Sequence, residues 1–151
     1  MELFAIDPDR RLFISPAVDD WGAVEAEGIG VVLDLEGGLD HGVPTVPNRV
    51  LYVYFPIFDE DLPDLGRLSA VARLGASLVA SGERVLSHCG MGFNRSALVA
   101  GLILVHLGWS GPDAVALLRE KRPGALFNDA FAAWLASLPP GGGLTPSGGS
   151  S

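Results

Sequence analysis

The sequence predicts an α/β fold in which a central, mostly parallel sheet of four to five strands is flanked by helices. Short apolar runs at residues 31–33 and 50–55 have the length and composition of buried strands, and a third run at 83–87, with Val85 and Leu86 at its centre, predicts the next strand. Apolar residues at helical spacing fill the segment between the second and third runs, and strands that alternate with helices pair in parallel. A chain of 151 residues with 48% apolar residues is sufficient for one domain with its own core.

The amino-terminal part predicts a hairpin and a helix. Two apolar runs, residues 3–6 and 12–15, flank an Asp-Pro-Asp-Arg turn. Asp19 or Asp20 can cap a short helix over about residues 21–28.

The middle of the chain alternates loops with regular elements. Residues 35–48 are rich in Gly, Pro and Asp and predict a loop, and the buried strand 50–55 then leads into an acidic loop at 56–61. Asp64 caps a predicted helix over residues 65–80. Its apolar positions, expected to face the sheet, are Leu68, Val71, Leu74 and Leu78.

The carboxyl-terminal part predicts three helices and a tail. Residues 97–107 are apolar around the whole helical circumference, which predicts a helix buried in the middle of the fold. Helices over about 110–121 and 128–138 follow. Residues 139–151 are mostly Gly, Pro and Ser, so we expect a folded domain at 1–138 and a disordered tail.

Charge and composition exclude several classes of protein. A net charge of −8 argues against nucleic acid or an anionic membrane as partner. The longest apolar stretch is too short to span a bilayer, and the first residues lack a secretory pattern, so we expect a monomeric cytoplasmic protein. A single cysteine excludes an internal disulfide and disfavours a structural zinc site.

That cysteine lies in the segment His88-Cys89-Gly90-Met91-Gly92-Phe93-Asn94-Arg95-Ser96, between a strand and a helix. Backbone N–H groups of such a loop, together with the helix N-terminus, can surround an anion. The predicted phosphate-binding residues are Gly90, Met91, Gly92, Phe93, Asn94 and Arg95. Arg95 offers a planar fork that matches two phosphoryl oxygens. The same positive field stabilises a thiolate, so Cys89 can attack phosphorus.

A leaving oxygen needs a proton, which a carboxylic acid near the same edge of the sheet can supply. Asp59 is the first acid after a strand and the Pro56 turn, and Glu60, Asp61 and Asp64 are alternatives. No metal or cofactor is required by this chemistry.

Three further residues are candidates for supporting roles. Ser96 can donate a hydrogen bond to the Cys89 sulfur when it leaves in the second step, or can act only at the helix start. The His88 ring can hold the loop, and Asn128 can cap its helix or also contact the loop.

The pattern His-Cys-x5-Arg-Ser resembles the protein tyrosine phosphatase superfamily, and the inner Gly92 and Asn94 are most similar to the dual-specificity branch. Residues 55–59 resemble the family's general-acid segment, and Arg122-Pro123 with Asn128 and Phe131 resembles the segment after the catalytic helix. The resemblance covers about residues 12–136. It implies the cysteine-phosphatase fold, catalysis by Cys89, Arg95, Asp59 and Ser96 without a cofactor, and a phosphorylated protein or small phosphomonoester as substrate. The absence of Lys and Arg inside the loop argues against a phosphoinositide preference.

Other functions are also compatible with an anion loop. Phosphoinositides, nucleotides, sugars and RNA ends remain alternative substrates. Arsenate reduction normally needs further cysteines, and sulfur transfer usually uses a shorter loop. A non-catalytic phosphate-binding module would not need both Cys89 and Asp59.

Overall fold

The computed structural model describes residues 1–142. The strands are β1 (Phe4–Ala5), β2 (Leu12–Ser15), β3 (Val31–Asp34), β4 (Leu51–Tyr54) and β5 (Val85–His88). The helices are α1 (Trp21–Ala26), α2 (Leu65–Ala80), α3 (Arg95–His106), α4 (Gly111–Lys121) and α5 (Asp129–Ala136).

The strands form one five-stranded sheet in the order β1-β2-β5-β3-β4. The pairs β2–β5, β5–β3 and β3–β4 are parallel, and the hairpin β1–β2 is antiparallel. The predicted α/β fold is therefore confirmed. The register aligns Ser15 and Asp34 with His88, so the three strands end at one level and the chain enters the segment after His88 at the centre of that edge.

Helices cover both faces of the sheet. The short α1 packs over Phe13, Val32 and Leu86 on one face, and the other four helices pack on the opposite face. Helix α3 is the central element, because it contacts α2, α4, α5, β2 and β5. Every residue from 96 to 105 is buried, as its uniformly apolar sequence predicts.

The predicted helix caps are confirmed where polar residues precede helices. Asp20, and not Asp19, accepts the Ala23 N–H at the start of α1. Asp64 accepts the Arg67 N–H at the start of α2. These bonds satisfy N–H groups that a helix leaves unpaired in its first turn.

The prediction that residues 50–55 form a buried strand is wrong about burial. Strand β4 has one neighbour, β3, and lies at the edge of the sheet. Leu51 and Tyr54 are exposed. Its β-branched and aromatic composition suits any pleated strand, and composition alone does not distinguish an edge from a centre.

The predicted buried face of α2 is also partly wrong. Leu68 is buried, but Leu74 is exposed, and the helix instead presents Ala72, Gly75 and Val79 to the core. A Cβ at Gly75 would lie 2.5 Å from Ile103 Cδ1, so glycine permits α2 to pack closely against α3. Small residues therefore define this interface, whereas hydrophobicity alone favours the leucines.

Most of the predicted tail, residues 143–151, lies outside the described residues. Within the described part, the Gly141 N–H donates to the Val105 carbonyl at 2.9 Å, which brings the chain back to the end of α3. Between residues 1 and 142, no helix combines the length and apolarity that crossing a membrane requires.

Candidate active site

Cys89 is the first residue after the central strand β5. Its side chain is 2% exposed. The sulfur accepts the Gly92 N–H at 3.3 Å and lies 3.4 Å from the hydroxyl oxygen of the buried Ser96. Both neighbours stabilise negative charge on sulfur, because each supplies an N–H or O–H donor to a thiolate. The structure thus places Cys89, Gly92 and Ser96 together.

The loop from 89 to 96 turns its carbonyl groups outward. Four consecutive carbonyl oxygens accept hydrogen bonds from donors outside the loop. These bonds, at 2.9–3.2 Å, run from Ala17 N–H to Gly90, from the Arg122 guanidinium to Met91 and Gly92, and from Leu126 N–H to Phe93. A trans peptide places its N–H opposite its C=O, so outward carbonyls leave the N–H groups directed inward. The backbone is arranged to bind an anion.

The two glycines of the loop are required for different reasons. Gly92 has φ +73°, and a Cβ there would lie 2.7 Å from backbone atoms of Ser15 and Pro16. A Cβ at Gly90 would overlap the Glu36 carboxylate. Gly92 therefore permits both the turn and the packing of the loop against the chain after β2, and Gly90 leaves space for an acidic side chain.

Arg122 is a residue of this site that the sequence alone did not identify. Its guanidinium lies 3.8 Å from the Phe93 ring centroid and 4.4 Å from that of Phe4, in addition to its two bonds to loop carbonyls. Stacking between two rings fixes the planar fork in place. The only sequence signal was the resemblance of the Arg122-Pro123 segment to a family pattern.

Arg95 is the first residue of α3, and one side of its guanidinium is bonded to the loops that follow β3 and β4. Its Nη1 donates to the Glu36 carboxylate at 2.7 Å and to the Ile57 carbonyl at 3.3 Å. Its buried Nε has no hydrogen-bond partner among residues 1–142. Glu36 therefore orients the guanidinium while the Nε side remains able to donate to a phosphoryl oxygen. Sequence reasoning missed Glu36, which lies in a glycine-rich loop 59 positions away.

Asp59 is joined to the phosphate loop by two amide side chains. Asn94 Nδ2 donates to Asp59 Oδ2 at 2.9 Å, and Asn128 Nδ2 donates to Asp59 Oδ1 at 2.9 Å. Asn128 also donates to the Glu60 carbonyl and caps α5 by accepting the Phe131 N–H. The other acids considered for the role of general acid have different surroundings. Asp64 is the cap of α2, and Glu60 and Asp61 line a surface depression together with Phe58.

His88 lies in a buried polar cluster under the loop. Its Nε2 is 2.7 Å from the Asp40 carboxylate and 3.6 Å from that of Asp34. The Tyr52 hydroxyl donates a short hydrogen bond to Asp34 and accepts the Asp40 N–H. Burial raises the pKa of Asp40 above its usual range, although His88 opposes the shift. Burial and the bond to Asp34 raise the pKa of Tyr52.

The same cluster is the group within residues 1–142 whose spacing could hold a metal ion. Ligand atoms of Asp34, Asp40 and His88 lie within 4.8 Å of one another. His88 Nε2 and Asp40 share a hydrogen bond, and Asp34 accepts one from the Tyr52 hydroxyl, so each of the three side chains has a partner within the protein.

No family model and no curated protein matches the chain. Solved structures do match. Human DUSP28 superposes with a TM-score of 0.75 at 25% identity, over 88% of this chain and 92% of that one. A mouse putative dual specificity phosphatase complexed with zinc tungstate has a TM-score of 0.71 at 28% identity, over 88% and 83%. The Yvh1 phosphatase domain from Chaetomium thermophilum has a TM-score of 0.70 at 25% identity, over 89% and 94%. The fold, the anion-binding loop around Cys89 and these structural relatives identify the chain as a cysteine phosphatase that resembles the small dual-specificity phosphatases of the protein tyrosine phosphatase superfamily.

Proposed function

We propose that this protein hydrolyses phosphomonoesters through a phosphocysteine on Cys89, with Asp59 as the general acid. The observation that supports this most directly is the bond between Asp59 and Asn94. It ties the carboxylate to the loop residue beside Arg95 and so to the phosphate position.

In the first step the Cys89 thiolate attacks phosphorus, the bond from phosphorus to the ester oxygen breaks, and Asp59 gives its proton to that oxygen. Arg95 and the inward N–H groups stabilise the charge on the three equatorial oxygens. The product is a phosphocysteine and a free alcohol or phenol.

In the second step water attacks the phosphocysteine while Asp59 takes its proton. The bond from sulfur to phosphorus breaks, and inorganic phosphate leaves. The Gly92 N–H and the Ser96 hydroxyl donate to the departing thiolate, which lowers the energy of its negative charge. Asp59 is again protonated, and Cys89 is again a thiolate.

The surroundings of Arg95 favour an aryl phosphate, and phosphotyrosine in a protein is the natural form of one. A cavity of about 440 Å³ opens beside Arg95 and its partner Glu36, and its other lining residues are Gly37, Tyr54, Pro56, Ile57 and Phe58. The exposed Phe58 can pack against a substrate ring. The five residues between Cys89 and Arg95 include no Lys or Arg that could bind a second phosphate group. In this proposal phosphotyrosine is the main substrate, and phosphoserine and phosphothreonine are secondary substrates.

The test is Cys89→Ser assayed with an aryl phosphate and with a phosphotyrosine peptide. We expect turnover to fall to background because a serine hydroxyl is a weak nucleophile at this position, while vanadate or phosphate still binds the unchanged loop. A phosphorylated Cys89 should be detected by mass spectrometry after rapid quenching of the wild-type protein. Substantial activity in Cys89→Ser would overturn the mechanism. Calorimetric binding of the phosphopeptide to wild-type protein without any turnover would instead support a phosphate-binding module.

A panel of phosphorylated substrates at equal concentration tests the substrate class. We expect phosphotyrosine peptides and aryl phosphates to be hydrolysed faster than phosphoinositides, nucleotides or sugar phosphates. If one of these three classes had a higher kcat/KM than the phosphotyrosine peptides, the proposal of a protein substrate would be wrong and that class would take its place.

A further inference from the structure

Asn94 occupies the N-cap position of α3 but does not cap the helix. Its side chain makes no capping hydrogen bond, although asparagine is among the preferred capping residues. The residue is 2% exposed. Both ends of its amide are used instead for contacts with other parts of the chain, which is the reason to look for a further role.

The amide of Asn94 joins two segments that are distant in sequence. Nδ2 donates to Asp59 Oδ2 at 2.9 Å, and Oδ1 accepts the Asn128 N–H at 2.9 Å. The Asn128 amide donates in turn to Asp59 Oδ1 at 2.9 Å. Each Asp59 oxygen therefore receives one amide N–H. Each oxygen keeps a second lone pair, so the carboxyl group can still carry the proton that a general acid delivers.

We infer that Asn94 is a positioning residue that holds Asp59 at the correct angle to the phosphate, an inference that rests on the proposed function. Asn94 is itself part of the phosphate loop and immediately precedes Arg95. The geometry between acid and phosphate is then set by one side chain that is rigidly attached to the phosphate site. Alanine at this position could not reach Asp59.

The inference predicts a dependence on the leaving group. A substrate with a poor leaving group, such as phenyl phosphate, needs the proton, and one with a good leaving group, such as a dinitrophenyl phosphate, does not. The parameter to compare is kcat/KM, because it reports only the steps up to phosphocysteine formation and not the later attack of water, in which Asp59 also takes part. Asn94→Ala should lower kcat/KM for phenyl phosphate by about tenfold, part of the 10²–10⁴ that a positioned acid supplies. It should change kcat/KM for the dinitrophenyl ester by less than about twofold, because that first step needs little protonation. Both substrates are measured on the same protein sample. An unfolded fraction therefore lowers both values by the same factor and leaves their ratio unchanged.

Asn94→Asp gives a second readout. It keeps an acceptor for the Asn128 N–H but replaces the amide donor to Asp59 by a carboxylate oxygen, so the leaving-group ratio should change at least as much as in Asn94→Ala. A purely structural role would slow all substrates equally and leave the ratio unchanged, and this result would overturn the inference.

Two matched variants separate this inference from the proposed function. Asn128→Ser keeps an oxygen to cap α5 but removes the second amide bond to Asp59, and it should shift the leaving-group ratio in the same direction. Asn94→Ala added to Asp59→Asn should cause no further change in the ratio, because the acid is already absent. An unchanged ratio in Asp59→Asn alone would overturn Asp59 as the general acid. A changed ratio in Asp59→Asn with an unchanged one in Asn94→Ala would overturn only the positioning role.

Discussion

Two parts of the active site are built in different ways: the phosphate loop, residues 89–96, and the three carboxylates that contact it and the residue before it. The loop is one continuous segment between the central strand and the central helix. The carboxylates, Glu36, Asp40 and Asp59, arrive from two other loops. Each of them bonds a different residue, namely Arg95, His88 and Asn94 respectively.

The difference lies in what holds each part in place. The loop is held by its own backbone, with four carbonyls bonded outward and a sulfur that accepts a backbone N–H. Glu36 and Asp40 are each bonded to one side chain of the loop or of the residue before it, and the exposed Asp59 accepts one bond from each of two amides. In the proposed mechanism, phosphate binding and nucleophilic attack therefore depend on the loop, and the orientation of Arg95 and His88 depends on Glu36 and Asp40. Changes at Gly92 and Arg95 of the loop should therefore cost more activity than changes at Glu36 and Asp40, which only orient Arg95 and His88.

Among variants that keep the Cys89 nucleophile, the largest effect is expected for Arg95→Lys. Lysine keeps the charge but lacks the planar fork, so it cannot hold Glu36 and the Ile57 carbonyl while donating to a phosphoryl oxygen. We expect kcat/KM for an aryl phosphate to fall about 10³-fold, comparable to the loss of a preorganised donor to a transition-state oxygen.

Arg49→Lys is the matched control, since the partner of Arg49 within residues 1–142 is Glu25, at the surface. Its activity should be unchanged. A loss of less than about tenfold in Arg95→Lys would mean that the backbone N–H groups alone carry phosphate binding.

Gly92→Ala tests the backbone of the loop. The positive φ and the approach of Ser15 and Pro16 both oppose a side chain, so the loop must shift. A shift of about 1 Å in the groups that surround the phosphate can reduce the rate about 10²-fold. Steady-state kinetics and chemical denaturation measure the two consequences.

Gly82→Ala separates the two causes. Gly82 also has a positive φ, +102°, but a Cβ there would meet no atom within 4 Å. It should lower stability by about 1 kcal/mol from backbone strain and leave the rate unchanged. Wild-type activity in Gly92→Ala would show that the loop tolerates displacement.

Glu36→Gln tests the carboxylate that orients Arg95. Glutamine retains an oxygen that can accept the Arg95 N–H, but the pair loses the attraction between the guanidinium and a carboxylate charge. We expect a fall of about tenfold in kcat/KM, which corresponds to about 1.4 kcal/mol of transition-state stabilisation.

Glu120→Gln, at an exposed pair with Lys121, is the control for removal of one surface charge. An effect of Glu36→Gln as large as that of Arg95→Lys would contradict the distinction between loop and carboxylates. If Glu36→Gln and Glu120→Gln had equal activity, the Glu36 charge would have no role in orienting Arg95.

The same distinction explains how much the sequence could predict. The loop could be predicted because its residues are consecutive and lie at a strand-to-helix boundary. Asp59 could be predicted because it is the first acid after the predicted strand that precedes α2. Glu36 and Asp40 were not identified, because their partners lie 59 and 48 positions away and the intervening glycine-rich loop has no periodic pattern. On α2, close packing at Gly75 selected a face that hydrophobicity does not indicate. Long-range side-chain pairing and close helix packing are properties of the folded chain.

The smallest effect on activity is expected for Asp40→Asn, and its signature is in stability. Burial raises the pKa of Asp40, while His88, Asp34 and Tyr52 are the polar groups that face it. The unfolded chain ionises this carboxyl at about pH 4 and the folded protein at higher pH, so the wild type loses stability as the pH rises through this range. Asparagine keeps an oxygen for His88 and does not titrate. The free energy of unfolding of the variant relative to wild type should therefore increase between about pH 4 and pH 7, measured by urea denaturation, with kcat/KM changed by less than about threefold. A relative free energy that decreases with pH would show that the charged Asp40 stabilises His88 by more than its burial costs.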